Sequence, residues 1–336
     1  MGNLKQSRRE FLKTAAGLAG AAATLGSTAL SYSRILGANE RVRIGVVGFA
    51  DHSRDCLLPA FQHLAGELNF ELAALSDLWS LRREEGAEFL RRLTGRKVAQ
   101  ARNNEELYER NCLDAVIIAT ADFQHALHGV EAVRAGCHAY VETPMAETLE
   151  DAMAILQAVE ETGRVVQIGT QRRSSGKYRK AAGVSGSGRF DKVNTVELVW
   201  NVSQPGGGRR PDLVAKLRQK DTDWKRFLLN RPEEPWDPHK YVEFRLYSAF
   251  SSGIAGQQMV HQLDTVHWLT GYDHPRSVVA SGGIHHWQDG RTSPDTLTAI
   301  LDYGPENDPS KGFQAVFTSR MRNGGGGTRT VYSREV

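Results

Sequence analysis

Short apolar runs alternate with longer amphipathic stretches from Arg41 to Gly169. Residues 41–48 are a β-branched run ending in glycine and predict a first strand. A helix is predicted over 53–66, a second strand over 70–76 ending at Asp77, and a helix with charged outer positions over 79–94. Residues 114–120 are apolar throughout, the pattern of a strand covered on both faces. Helices at 124–135 and 148–162, stopped by Gly136 and Gly163, alternate with strands at 138–142 and 165–169. Strand and helix alternating through short connections predict parallel βαβ units in a doubly wound sheet.

The texture changes near residue 170. A helix at 176–182 leads to a long strand over 192–200, then a Gly/Pro/Arg loop from Pro205 to Pro211. The Trp- and Pro-rich segment from Trp224 to Tyr247 reads as a loop, either lining a ring-shaped substrate or packing on itself. A helix over 255–270, stopped by Gly271, precedes strands at 276–286, 295–303 and 313–320. The expected architecture is α/β: an N-terminal Rossmann sheet over 40–165 and a C-terminal α+β domain over 166–336. The second sheet is expected to be open and largely antiparallel.

The chain of 336 residues has length for two such domains. A net charge of +3 without a basic block does not favour a nucleic-acid partner, and the scattered arginine pairs suit solvated helix faces. Cys56, Cys112 and Cys137 form no disulfide or zinc framework and suit apolar packing. His285-His286 would point to opposite faces of a strand, so no metal site is expected.

The first 38 residues carry their own pattern. Ser7-Arg8-Arg9-Glu10-Phe11-Leu12-Lys13, followed by an Ala/Gly-rich run from Thr14 to Leu30, matches a twin-arginine export signal. The run is short and weakly apolar, so no stable membrane span is expected; cleavage is placed after Leu36-Gly37-Ala38. The twin-arginine export machinery carries folded proteins, so a cofactor acquired in the cytoplasm would travel with this chain to the periplasm.

The loop after the first strand places Gly48, Ala50 and Ser53 where a G-x-G-x-x-G motif has glycines. Small residues there let backbone approach a pyrophosphate at the next helix N-terminus. Gly48, Phe49 and Ala50 are therefore candidate cofactor residues. Asp77, at the end of the second strand, is placed to accept from both ribose hydroxyls, which favours NAD. Arg82 and Arg83, a turn further on, keep NADP open; Asp77 also reads as a helix N-cap.

Residues 113–125 (Leu-Asp-Ala-Val-Ile-Ile-Ala-Thr-Ala-Asp-Phe-Gln-His) and 132–146, ending Tyr-Val-Glu-Thr-Pro-Met-Ala, carry a resemblance. So do Gly169-Thr-Gln-Arg-Arg173 and residues 252–264. The chain over about 40–330 resembles the glucose–fructose oxidoreductase / inositol dehydrogenase / rhizopine catabolism (Gfo/Idh/MocA) family. The resemblance implies that Ala119, Thr120 and His125 border the cofactor, that Glu142-Thr143-Pro144 lies beside the nicotinamide, and that Arg172 belongs to the cofactor set. It also implies a general-base histidine, His261, on a second-domain helix.

Two family positions differ. The Glu-Lys-Pro turn is Glu142-Thr143-Pro144, and the carboxylate four residues before the histidine is Gln257. Thr143 donates a hydrogen bond but cannot carry lysine's charge. Gln257, His261, Asp264 and Trp268 share one helical face, and Asp264 is the candidate to orient the His261 ring. The catalytic candidates are therefore His261, Asp264, Thr143 and Gln257.

The resemblance implies an NAD(P)-dependent oxidoreductase acting on a sugar, cyclitol or derivative, in a homo-oligomer. Two alternatives stand beside it: a redox-neutral enzyme with resident NAD that modifies glycosides, and a non-catalytic sugar- or dinucleotide-binding homologue. Family members extend further past the last predicted strand, which suggests a truncated or altered C-terminus.

Overall fold

The chain is described from a computed structural model, and the structure describes residues 41–185, 193–202, 205–308, 310–321 and 330–332. The twin-arginine segment and its cleavage site lie outside the described residues.

Six strands form the first sheet: β1 (Val42–Val47), β2 (Phe70–Ser76), β3 (Ala99–Ala101), β4 (Ala115–Ile118), β5 (His138–Val141) and β6 (Val166–Ile168). Their order is β3-β2-β1-β4-β5-β6, and every pairing is parallel. The order reverses between β1 and β4, so a crevice opens at the carboxyl ends of those strands. Val46, Leu75, Val116 and Ile118 are buried, because helices cover both faces. Helix α1 (Leu58–Leu64) continues from a π-helical turn over Ser53–Leu57. Helices α2 (Ser80–Thr94), α3 (Asn104–Asn111), α4 (His125–Arg134) and α5 (Leu149–Thr162) follow. Gly95 and Gly163 close α2 and α5 in the left-handed region, the usual place for a glycine cap.

Both β3 and α3 escape the hydrophobic pattern. β3 has three residues, and α3 is polar except at Leu107 and Tyr108. Its legible mark is the N-cap, where the Asn103 side chain accepts the Glu106 amide. β6 belongs to the first sheet, which therefore runs past the expected boundary at 165.

The second sheet holds β7 (Thr195–Asn201), β8 (Ser277–Gly283), β9 (Thr296–Tyr303), β10 (Phe313–Arg320) and β11 (Thr330–Tyr332). Their order is β11-β7-β10-β9-β8; only the β7–β10 pair is parallel. Alternation along β9 and β10 buries Ala299, Leu301, Ala315 and Phe317 on one face. Ile254 and Val266, from the segment leading into and along helix α10 (Val260–Thr270), pack on that face. Helix α6 (Gly176–Ser185) also packs against α10. The chain from Val42 onward is one compact unit.

The aromatic segment packs on itself and also lines a cavity, through Phe227, Tyr241 and Phe244. It contains helices α8 (Trp224–Leu228) and α9 (Pro238–Val242), after the short helix α7 (Pro211–Val214). Trp224, Phe227, Leu228 and Phe250 form a buried cluster with Ala121 and Phe123 of the first domain. Gln124 Nε2 donates to the Phe227 carbonyl at 2.7 Å across the same junction. This cluster ties the segment to the switch-point loop and fixes one wall of the crevice.

Other expectations change as well. Cys56 and Cys112 are exposed and only Cys137 is buried. Arg82 is buried instead of lying on a solvated face. β8 ends at Gly283, and the His285 and His286 amides donate to the Asp295 carboxylate from the following loop.

Candidate functional site

The glycine loop turns directly off β1. Gly48 has φ +87°, and its amide donates to the Ser76 carbonyl at 2.9 Å. A Cβ at Gly48 would lie 2.8 Å from both the Ala119 carbonyl oxygen and Thr120 Cγ2. Glycine thus satisfies both a left-handed backbone and a close approach of two loops. Phe49 buries its ring in the core beside Phe89, so its contribution to the site is its amide.

That amide donates to Asp77 Oδ2 at 2.8 Å, and the Trp79 amide donates to Oδ1 at 2.9 Å. The two donors fix the carboxylate plane at the end of β2. Burial nevertheless raises the Asp77 pKa to about 6 against the pull of both amides. Asp77 is not the N-cap of α2, a position held by Trp79.

These loops open on a cavity of about 430 Å³. Gly48, Phe49, Ala50, Asp77, Ala119, Thr120, His125, Glu142 and Thr143 line it, as do Gln257 and His261 from the second domain. Among the expected cofactor residues, Pro144 and Arg172 lie outside the lining. Pro144, after a cis peptide bond, offers its carbonyl to His125 Nδ1 at 2.8 Å. Arg172 instead stacks over Trp200 and Tyr178, each at 5.4 Å, and its neighbour Gln171 reaches the cavity.

His125 is enclosed, with its other ring nitrogen 3.3 Å from the Thr120 carbonyl. Burial depresses its pKa, and a neutral ring has one N–H to donate, which the shorter contact assigns to the Pro144 carbonyl. Glu142 accepts from the Tyr140 hydroxyl at 3.1 Å and the Thr143 amide at 3.2 Å, and lies 3.4 Å from His52 Nε2. Burial works to raise its pKa, but His52 and these donors hold it below the usual carboxylate range. The hydrogen bond to Glu142 in turn raises the His52 pKa. An ion pair thus forms beside Thr143.

Thr143 Oγ1 lies 3.1 Å from His261 Nε2. The His261 ring stacks on Trp200 with centroids 6.1 Å apart. Burial, and then the charge of Arg172, lower the His261 pKa below its ordinary 6.5. The ring is therefore neutral near pH 7 and available to take a proton.

Asp264 does not orient this ring. It pairs with Arg173, whose Nη2 is 2.8 Å away and whose Nε donates at 2.9 Å. Arginine offers a charged fork that imidazole cannot match, and it captures the carboxylate. Of the expected face, Gln257 lies in a π-helical turn over Ala255–Met259, while His261, Asp264 and Trp268 lie in the regular helix that follows. Gln257 reaches the cavity and donates to Ser251 Oγ at 3.1 Å.

His52, Asp122 and Arg245 also line the cavity, and the sequence pattern did not single them out. His52 stands four residues past Gly48, a spacing that marks the loop. Arg245 sits in the Trp- and Pro-rich segment, where no period announces a site. Asp51 gathers Arg82 and Arg210 at 3.5 and 2.6 Å beside the glycine loop.

Residues 42–170 match the family GFO_IDH_MocA, an oxidoreductase family with an NAD-binding Rossmann fold. Among curated relatives, a 1,5-anhydro-D-fructose reductase of Ensifer adhaerens is 26% identical over 202 residues, covering 56% of each chain. A scyllo-inositol 2-dehydrogenase (NADP(+)) of Bacillus subtilis is 25% identical over 181 residues, covering 54% of this chain and 49% of its own. The chain spans about half the length of these relatives.

Among solved structures, the WlbA dehydrogenase of Bordetella pertussis, in complex with NADH and UDP-GlcNAcA, superposes with a TM-score of 0.63. Identity is 20%, with 85% of this chain and 72% of that chain covered. An oxidoreductase of Thermotoga maritima gives a TM-score of 0.65 at 20% identity, with 86% and 75% covered. These likenesses establish the Rossmann-plus-open-sheet fold.

Among the described residues, no group of three or more His, Cys, Asp or Glu could hold a metal ion. No described helix is long and apolar enough to cross a membrane.

Proposed function

We propose that this chain is an NAD(P)-dependent oxidoreductase that moves a hydride to or from a hydroxyl-bearing carbon of a sugar, cyclitol or derivative. The observation that carries the reading is the 3.1 Å contact between Thr143 and His261, made inside the cavity that the glycine loop and Asp77 share.

The residues fit a dinucleotide. The Gly48 loop leaves no room for a Cβ, Asp77 holds its carboxylate in a fixed plane, and Arg82 and Arg210 line the cavity near the glycine loop. Gly48, Phe49 and Ala50 would hold the pyrophosphate through backbone, and Asp77 the adenine ribose. When bound, the nicotinamide supplies the carbon that accepts or returns the hydride.

The chain's own residues do the proton work. Neutral His261 takes the proton of the substrate hydroxyl at Nε2 as the carbonyl forms, and returns it in the reverse direction. Thr143 Oγ1 occupies a hydrogen-bonding position on that nitrogen and holds the ring until the substrate hydroxyl replaces it. The His52–Glu142 pair beside Thr143 supports the turn electrostatically, where the family's turn carries a lysine. Trp200 stacks on the ring and limits its rotation.

The relatives named above include a reductase and a dehydrogenase acting on polyols or their derivatives, which supports the substrate class. The test is single-turnover absorbance at 340 nm with NAD-loaded protein and a panel of sugars and inositols. Growth of the reduced nicotinamide band with at least one compound supports the reading. Glycoside turnover without net reduction, or binding without turnover, contradicts it.

We further propose that Ser7–Lys13 directs export of the folded, cofactor-loaded protein to the periplasm, and that the protein works as a homo-oligomer. The arginine pair with its following apolar run supports export. Retention of an Arg8→Lys, Arg9→Lys variant in the cytoplasm, with the wild type in the periplasmic fraction, is the expected result. Light scattering of the purified protein reads the oligomer.

A further inference from the structure

A second cavity of about 360 Å³ adjoins the first, and the two share Arg210, Val242, Arg245 and Gln257. Gln257 lies four residues before the proposed proton acceptor His261, which lines the first cavity.

The arginines around the two cavities differ in one respect. Arg82 is bridged to Glu85 and Asp51, Arg210 to Asp51, Arg226 to Asp223 and Glu105, and Arg291 to Asp289. Among the described residues, no carboxylate lies within ion-pair distance of Arg245. Its recorded neighbour is the Phe244 ring, 4.7 Å from the guanidinium carbon. Arg245 is exposed and lines both cavities, yet the surrounding protein pulls its pKa below the ordinary value. A guanidinium open to the cavities and without a carboxylate partner keeps its donors free for an anionic ligand.

Two further polar groups stand in the cavity walls. Ser293, 4% exposed, lines the second cavity, and its Oγ has no hydrogen-bond partner. Asp122, 3% exposed, lines the first, and its Oδ1 likewise has none. Both atoms are closed off from solvent, so they mark polar walls and not ligand contacts.

We propose that the substrate is an acidic sugar whose single carboxylate is bound by Arg245 at the junction of the two cavities. The assignment rests on the oxidoreductase reading of the site and adds the substrate's charge to it. A guanidinium fork matches a planar carboxylate in two parallel hydrogen bonds. The balance of charge also selects a monoanion. Of the arginines lining the two cavities, Arg245 is the one without a carboxylate in ion-pair distance among the described residues, and Asp122 and Asp51 are close enough to act on it electrostatically, so each added negative charge is opposed there. A phosphate dianion there would leave surplus negative charge beside Asp122.

The test is calorimetry on NADH-saturated protein with D-glucuronate, D-galacturonate, D-glucose, D-galactose and D-glucose 6-phosphate, for the wild type, Arg245→Met and Arg245→Lys. NADH affinity is titrated separately for each. The expected result is that at least one uronate binds roughly ten- to a hundred-fold tighter than its parent hexose. Arg245→Met abolishes that preference with NADH affinity within about two-fold of wild type, and Arg245→Lys retains part of it. Equal binding of uronates and hexoses by the wild type, or tightest binding of the phosphate ester, overturns the proposal. Weakened NADH binding in both Arg245 variants also overturns it, because Arg245 then serves the dinucleotide. Failure of the wild type to bind NADH contradicts the oxidoreductase reading itself, and the separate titration distinguishes that outcome.

Discussion

At the scale of single residues, His261 and Asp77 make opposite demands of their surroundings, and each gives a pH signature. Burial and Arg172 lower the His261 pKa, so the base form persists below pH 6.5. The acid limb of kcat/KM is therefore expected below pH 6.5, and a limb well above it would contradict the assignment. His261→Asn is expected to lower kcat by roughly 10²–10⁴-fold while NADH affinity stays within about two-fold. Asp77 behaves in the other sense. Its unfolded value is 3.8 and its folded value about 6, so the folded chain holds more protons across that window. Stability of the cofactor-free protein therefore falls as pH rises from 3.8 to 6, the direction linkage requires for a raised pKa. Ribose hydroxyls donate to the ionised form, so NADH binding is expected to weaken below about pH 6 and to release protons near it. Calorimetry in buffers of differing ionisation enthalpy measures that release. Gly48→Ala forces a Cβ onto the Ala119 carbonyl in a left-handed backbone, and NADH affinity is expected to fall by at least an order of magnitude.

At the scale of elements, the interruptions carry as much of the site as the regular parts. The sequence pattern located β2 and β10 to the residue, because a strand covered on at least one face declares itself in apolar period. It located α10 only in part. Nothing in Ala255–Met259 marks a π-helical turn, and side-chain spacing alone could not show that Asp264 meets Arg173. The structural role assigned to Asp264 has a direct consequence. Asp264→Asn is expected to cost less than about 1 kcal/mol of stability and to leave kcat within a few-fold. A hundred-fold loss of kcat would return Asp264 to the catalytic set. The aromatic segment was legible in composition but not in purpose, since tryptophans that pack and tryptophans that bind rings look alike in sequence. Phe227 is buried between Phe123, Trp224 and Phe250 and also lines the cavity. Phe227→Ala is expected to cost about 3–5 kcal/mol in urea unfolding and to weaken NADH binding together with it.

At the scale of the whole molecule, the site belongs to neither sheet alone. The first sheet contributes the glycine loop, Asp77, His125 and Thr143 at its switch point; the second domain contributes His261, Gln257 and Arg245. Apart from β3, the parallel sheet was readable because short apolar strands alternate with amphipathic helices through short connections. The meeting of Thr143 and His261, 118 residues apart, follows only from the fold, as does the unpaired state of Arg245. The central claim is that this composite cavity is a dinucleotide site. It is tested most directly by denaturing the purified protein, measuring the ultraviolet spectrum and mass of any nucleotide released, and titrating the emptied, refolded protein with NADH. The account predicts released NAD or NADP, or stoichiometric NADH binding that Gly48→Ala weakens. No released nucleotide together with no NADH binding would contradict it.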